Sequence, residues 1–274
     1  MRRDYSPIYR GAKLVSSIYE SYRDALQAEE PVVLATVIEG KNVGSKLLVF
    51  GNENIEGSLG SSELDRVVSR DALGMLEAGT SEVRHYGVDG EARQDDLSVF
   101  IETHSRSPQM IIFGAVDFTR ALAAQSKLLG FRVTVCDARE VFVTRRRFPM
   151  ADELVVDWPD RLLERIGGDL GQRDAVCVLT HDAKFDVPAL LSSLATSVGY
   201  LGAMGSRLTH EKRVDRLRSE GVTEEQLSRI MSPLGLDIGG RTPEETAVSI
   251  VAEIIAIRTG RAAPRLSETT GHIH

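Results

Sequence analysis

The sequence predicts an α/β chain: a small N-terminal α/β domain over residues 1–107, then a parallel-sheet domain over 108–260 with C-terminal helices. Three observations predict it. From Met110 onward short apolar runs alternate with helix-patterned stretches, the signature of parallel strands joined by crossover helices. The first hundred residues instead hold strand runs with few helices between them. Between the two patterns lies Ser105-Arg106-Ser107-Pro108, polar and proline-bearing, where the domain boundary is placed.

The elements follow in order. Leu14, Ile18, Tyr22, Ala25 and Leu26 have helical spacing, so Leu14–Ala28 is read as a helix stopped by Pro31. Val32–Ile38 and Lys46–Phe50 are buried-strand runs. Glu63–Ala78 carries one stripe, Leu64, Val67, Val68, Ala72, Met75 and Leu76, and Gly79 ends it. Strands are expected around Val83–Val88 and Leu97–Ile101. In the second domain strands are expected at Met110–Phe113, Arg132–Cys136, Glu153–Asp157, Ala175–Thr180 and Val198–Met204. Helices are expected between them at Phe118–Leu129, Asp160–Ile166 and Val187–Ala195. Three helices close the chain, Arg207–Glu220, Glu224–Met231 and Pro243–Thr259. The last two open on the capping boxes Thr223-Glu224-Glu225-Gln226 and Thr242-Pro243-Glu244-Glu245. Residues 261–274 read as a flexible tail, in which His272 and His274 are taken as floppy rather than metal-binding.

Composition narrows the function classes. A chain of 274 residues with 42% hydrophobic and 27% charged residues has an ordinary globular balance and buries its core without staples. A net charge of −7 argues against general nucleic-acid binding, and the run Arg145-Arg146-Arg147 is read as a solvated loop. Cys136 and Cys177, each in or ending an apolar run, are read as reduced and buried. MRRDYSPIYR has no apolar core behind it and no run approaches ~18 apolar residues, so neither a signal peptide nor a membrane span is expected, and a cytoplasmic protein is.

The second domain is Rossmann-like, and such sheets bind ligands outside the carboxyl ends of their strands. Four groups are expected there. The first is the loop after Phe113, where a dinucleotide fingerprint would read G-x-G-x-x-G/A and this chain reads Gly114-Ala115-Val116-Asp117-Phe118-Thr119. Val116 puts a branched side chain where a diphosphate needs bare backbone. Asp117 adds negative charge beside it, and Thr119 replaces the small residue of the helix–strand contact. Ordinary NAD binding is therefore not expected. The second group is Asp137, placed to hold a ribose 2′-hydroxyl, with Arg139 alternatively meeting a 2′-phosphate; a simple strand-end turn is the other reading. Third is Thr180-His181-Asp182, a cluster of hydroxyl, imidazole and carboxylate. Fourth are two glycine-containing loops entering helices, Gly205-Ser206-Arg207 and Gly239-Gly240-Arg241-Thr242, each suited to an anion, with Ser206 alternatively no more than a helix cap.

LTHDAKFDVPAL, YLGAMGSRLTHEKRVDRLRSEGVTEEQL and SPLGLDIGGRTPEETAVSIVAEIIAIRTG resemble the Rossmann domain of the XdhC/CoxI family, with a thinner resemblance through LATVIEG, GSKLLVF, EGSLGSSELD and LSVFIE. The resemblance implies an accessory protein, not an enzyme, that handles molybdenum cofactor for a xanthine dehydrogenase-type molybdenum hydroxylase. It implies a homodimer, and either molybdenum cofactor or a dinucleotide as the ligand. The chain departs from the family at four places, one of them a loop between Ile38 and Lys46 that is short against the family's proline-containing version. Val116 and Asp117 replace the second glycine and the histidine of a Gly-x-Gly-His loop; Ser61-Ser62-Glu63 replaces a Gly-Gly-Cys; and no cysteine-glycine-glycine occurs around Arg93 to Asp95. Thiolate is the soft ligand that molybdenum handling calls for, and Glu63 is a hard one. Two other readings stand beside this one: an NAD(P)-dependent oxidoreductase, and a degenerate regulatory partner of an intact relative.

Overall fold

The structure, a computed structural model, describes residues 8–91 and 96–270 and divides into two compact units at Arg106/Ser107. The stretch around Arg93 to Asp95, and the tail histidines His272 and His274, lie outside the described residues.

In the first unit α1 (Ile8–Gln27) precedes β1 (Val32–Glu39), β2 (Lys46–Phe50) and β3 (Ile55–Ser58). Then come α2 (Ser62–Ala78), β4 (Glu82–Tyr86) and β5 (Leu97–His104). The strands form an antiparallel sheet in the order β3-β2-β1-β5-β4. One face packs Val33, Ala35, Leu47, Val49 and Val99 against the apolar stripe of α2. The other places Val32 and Leu48 against Ile18 and Ala25 of α1. The expected stop of α2 is present: Gly79 has φ 68° and donates to Leu76 O, with Thr80 N reaching Met75 O at 3.0 Å. β3 lacks a sequence signal, because Ile55-Glu56-Gly57-Ser58 has no apolar run; pairing with β2 alone makes it a strand.

The second unit contains β6 (Gln109–Phe113), α3 (Asp117–Leu128), β7 (Arg132–Cys136), β8 (Glu153–Val155), α4 (Pro159–Ile166), β9 (Ala175–Val178) and α5 (Ala183–Leu194). It ends with β10 (Tyr200–Ala203), α6 (Arg207–Ser219), α7 (Glu224–Ser228), β11 (Ile230–Met231) and α8 (Pro243–Thr259). All its strand pairs are parallel, in the order β11-β10-β9-β6-β7-β8, which is the Rossmann order with the reversal between β6 and β9. Continuous apolar strands such as Met110–Phe113 and Ala175–Val178 follow from burial on both faces. α3 and α8 cover one face through Leu122, Ala123, Ile250 and Ile254. α4, α5 and α6 cover the other through Leu162, Leu190 and Leu217. Each buried leucine or isoleucine among them contributes about 1.5–3 kcal/mol.

Two expectations change. The helix read as Glu224–Met231 ends at Ser228, because Ile230 and Met231 pair with Leu201 and Gly202 as a sixth strand. α5 starts at Ala183 rather than Val187, since Asp182 caps it by accepting from Lys184 N at 3.0 Å and the helix runs on through Pro188. The crossover from β7 to β8 has no α-helix; a 3₁₀ turn at Glu140–Phe142 and further turns fill it.

Candidate functional site

The carboxyl ends of β6, β7 and β9 meet at the strand-order reversal. Gly114 closes β6 with φ 111°, and a Cβ there would stand 2.6 Å from Thr180 Cγ2 and 3.1 Å from Thr180 N. Torsion and contact both demand glycine, so this position is explained by the approach of the β9 loop alone. The next amide is already engaged: Ala115 N donates to Asp137 Oδ2 at 2.8 Å. Val116 is extended, with φ −106°, so its torsion needs no glycine. Its side chain packs partly against the core under α3 and α8 and lines an open groove of about 580 Å³ with Arg120, Arg147 and Pro243. Thr119 is buried and donates back to Gly114 O, which ties the loop to the first turn of α3. Gly114 O and Ala115 N, the polar groups nearest the end of β6, are thus engaged by Thr119 and Asp137.

Asp137 is 1% exposed, and its carboxylate serves the fold on both oxygens. Oδ1 accepts from Arg139 N at 3.0 Å and Nε at 2.9 Å; Oδ2 accepts from Arg139 Nη2 at 2.8 Å as well as from Ala115 N. Burial alone would raise this carboxyl, but the hydrogen bonds from Arg139 and Ala115 outweigh it and hold the group below the ordinary carboxylate range. The arginine is half-exposed and lies 4.7 Å over the Phe142 ring and 6.0 Å from that of Phe185, which stacks on Trp158 at 4.6 Å and 13°.

Thr180, His181 and Asp182 do not converge. Thr180 is buried and donates to Asp186 Oδ1; Asp182 caps its own helix; His181 is exposed and free of side-chain hydrogen bonds among the described residues. Behind Thr180 lies a constellation without a sequence signal. Arg213 and Asp186, with side chains 2% and 5% exposed, pair at 2.9 Å, and Arg213 also donates to Met204 O at 2.8 Å and Ser232 Oγ at 3.1 Å. One guanidinium on α6 thereby joins helix α5 to the loops that follow β10 and β11. Nothing distinguishes it in Arg207-Leu208-Thr209-His210-Glu211-Lys212-Arg213, where charged residues occupy most positions.

The two loops read as anion-suited are largely closed by their own caps. Ser206 Oγ accepts from Thr209 N at 3.2 Å, the capping alternative. Glu245 Oε2 accepts from Arg241 N at 2.7 Å and Thr242 N at 3.0 Å, so a carboxylate of α8 itself sits on the helix start. Those two backbone donors hold Glu245 below its usual range. Gly205 and Gly239 have φ 148° and 76°, while Arg207 and Arg241 are exposed. The run Arg145-Arg146-Arg147, expected to be solvated, is partly structural: Arg145 donates to Ala151 O, and Arg147 Nη1 donates to Ala115 O at 2.9 Å with Nη2 3.5 Å from Asp117. Both cysteines are free and buried, as expected, and burial pushes the Cys136 thiol up to about 12 and the Cys177 thiol up as well. Among the described residues no group of three or more His, Cys, Asp or Glu side chains could hold a metal, and no helix is long and apolar enough to cross a membrane.

The model of the XdhC Rossmann domain matches residues 110–254, from β6 into α8, and that of the XdhC and CoxI family matches residues 25–87. The chain belongs to the XdhC family. It is similar to a probable xanthine dehydrogenase subunit from Bacillus subtilis, 30% identical over 88% of this chain and 64% of that one. It is also similar to the molybdenum cofactor insertion chaperone PaoD of Escherichia coli, 33% identical over 31% of this chain and 26% of that one. With the uncharacterized protein YqeB of Escherichia coli it shares 27% identity over 92% of this chain and 49% of YqeB. The chain thus spans less than two thirds of the length of these curated relatives. A crystal structure described as a xanthine dehydrogenase from Bacillus halodurans shares the fold, at 22% identity and a TM-score of 0.54, over 90% of this chain and 98% of that one.

Proposed function

We propose that this chain is a non-catalytic, cytoplasmic accessory protein that takes part in maturation or cofactor loading of a xanthine dehydrogenase-type molybdenum hydroxylase, with loop one no longer reading a diphosphate. The observation that carries the reading is the family match across the parallel-sheet unit, joined to a crevice whose first loop is engaged by Asp137 and Thr119. The reading is supported by the names of two relatives, a probable xanthine dehydrogenase subunit in B. subtilis and the molybdenum cofactor insertion chaperone PaoD.

Molybdenum cofactor is cargo in this scheme, and the sulfur ligands that would grip its metal are missing. Cys136 and Cys177 are buried and protonated, and Glu63, at the family's cysteine position, is exposed at the start of α2 and ion-paired to Arg66. Cargo contact would then fall to the exposed His181, Arg139, Arg207 and Arg241, with Gly114, Asp137, Thr180, Asp182, Gly205, Ser206, Gly239 and Thr242 shaping the loops that carry them. A homodimer is part of the proposal, implied by the family resemblance; Val248 and Ile255, seven positions apart and so on one face of α8, are exposed apolar residues.

The test is deletion of the chain's gene in its own host, with the activity and molybdenum content of the hydroxylase measured and co-purification of that hydroxylase scored. Loss of activity that the restored gene reverses is expected. Full activity in the deletion strain, without co-purification, refutes the role.

A further inference from the structure

Helix α8 wears its polarity inside out. From Ala247 to Ile257 only Ser249 and Glu253 are polar, and both are engaged within the chain. Ser249 Oγ donates to Leu236 O at 2.5 Å, while Glu253 Oε2 accepts from the Tyr200 hydroxyl at 2.6 Å and from Gly235 N at 2.8 Å. The side turned to water is left with Val248, Ala252 and Ile255, of which Val248 is 42% and Ile255 36% exposed. A helix that is apolar all round belongs in an interior, and this one has a bare side. Beside it α3 presents Ala121, Ala124 and Leu128, the last 80% exposed, and the groove of about 580 Å³ runs past both alanines to Glu244.

The two helices lie side by side with their starts together, since Val116 and Asp117 line the same groove as Pro243 and Glu244. Their first turns carry Asp117 and Glu244, and their last turns carry Lys127 and Arg258. A face that is acidic at one end, apolar in the middle and basic at the other is complementary to itself when turned end for end. We propose that the outer face of α3 and α8 receives the same face of a second copy of this chain, helices antiparallel, about a two-fold axis beside Ala252. The register follows from the spacing along α8. An axis at Ala252 sets Val248 opposite the partner's Ile255 and brings Glu244 beside the partner's Arg258, while the small Ala252 lets the two backbones approach. Parallel pairing would bring like-charged ends and like ends of the helix dipoles together. An isologous contact of this kind closes as a dimer. The inference rests on the homodimer of the proposed function and gives it a face and an orientation. Because α3 and α8 both start at the carboxyl edge of the sheet, antiparallel pairing points the two crevices in opposite directions, each complete within one chain.

The molar mass of the full chain, measured by light scattering at micromolar concentration, is expected to be that of two copies. Val248→Glu changes an exposed side chain and sets an unpaired charge against the partner's Ile255. It is expected to weaken association roughly 100-fold while leaving the far-ultraviolet circular dichroism spectrum unchanged. Orientation is read with a thiol. Cys136 and Cys177 are buried, so Ala252→Cys adds a lone accessible cysteine, and mild oxidation is expected to link two copies through it because the axis brings both positions within disulfide range. Leu208→Cys, exposed on α6, is expected to stay unlinked under the same conditions. A wild-type mass of one chain, a Val248→Glu variant that associates as tightly as wild type, or an Ala252→Cys variant that links no better than Leu208→Cys overturns the proposal. Such a failure leaves the accessory role standing, because that role is scored by hydroxylase activity in the deletion strain and not by the number of copies.

Discussion

The pair Arg213–Asp186 carries the most direct prediction. At 2.9 Å, with side chains 2% and 5% exposed, it is a buried ion pair whose removal from one side strands a charge. Arg213→Met deletes the guanidinium and also the donors to Met204 O and Ser232 Oγ. Breaking such a pair costs about 3–5 kcal/mol, which corresponds to a fall of roughly 6–20 °C in the Tm of a unit this size. The cost depends on pH. Burial already raises the Asp186 carboxyl, opposed by Thr180 and Arg213, and loss of Arg213 raises it further. Near neutral pH the unfolded chain carries this carboxyl ionised, whereas the folded variant must either desolvate the charge or bind a proton. As pH falls toward and then below the unfolded value near 3.8, both states come to hold the proton and this penalty disappears. Urea melts at pH 7.5 and pH 4.5 should therefore show a large deficit that shrinks on acidification. The double variant Arg213→Met with Asp186→Leu should recover most of the loss, because apolar groups of similar volume replace both charges. A single variant destabilised by less than about 1 kcal/mol, or a pH-independent deficit, refutes the reasoning.

Three more outcomes are expected. Gly114→Ala should destabilise the second unit by roughly 1–3 kcal/mol from its torsion alone, with the Thr180 contact adding to it; an unchanged melting curve contradicts the geometry. Asp137→Asn should cost about 1.5–3 kcal/mol at neutral pH, toward the low end because Arg139 is half-exposed. Asp137 has a depressed folded pKa, so its contribution is present above the unfolded value near 3.8 and lost as pH falls through the folded one; the gap between wild type and variant should close in acid-titrated melts. Cys136 and Cys177 should resist an aromatic disulfide reagent in the native chain and react only on unfolding; prompt native labelling would place a thiol at the surface.

Much of this architecture was legible because the interactions that set it are local or periodic. The Gly79 stop of α2 and the Thr223 and Thr242 capping boxes lie within a few residues of their partners. Strands β6, β7 and β9 show as apolar runs because burial on both faces removes polar residues from them. β3 and β11 were hidden because each exists only through its pairing partner, β2 or β10.

By itself the sequence determined the class of sheet, the helix ends and the buried thiols, since short-range propensity and burial patterning decide each of these; the family showed only through the resemblance of its motifs. The tertiary structure decided which polar groups remain available. Asp137 is joined to Ala115 across 22 positions, Asp186 to Arg213 across 27 and Arg147 to Ala115 across 32. Contacts of that range carry no periodic trace, because chain closure around the sheet brings together side chains whose spacing along the sequence is arbitrary. For the same reason Thr180 and Asp137, read from their loops as open to a ligand, are turned inward, while Phe142 and Phe185 emerge as neighbours of Arg139.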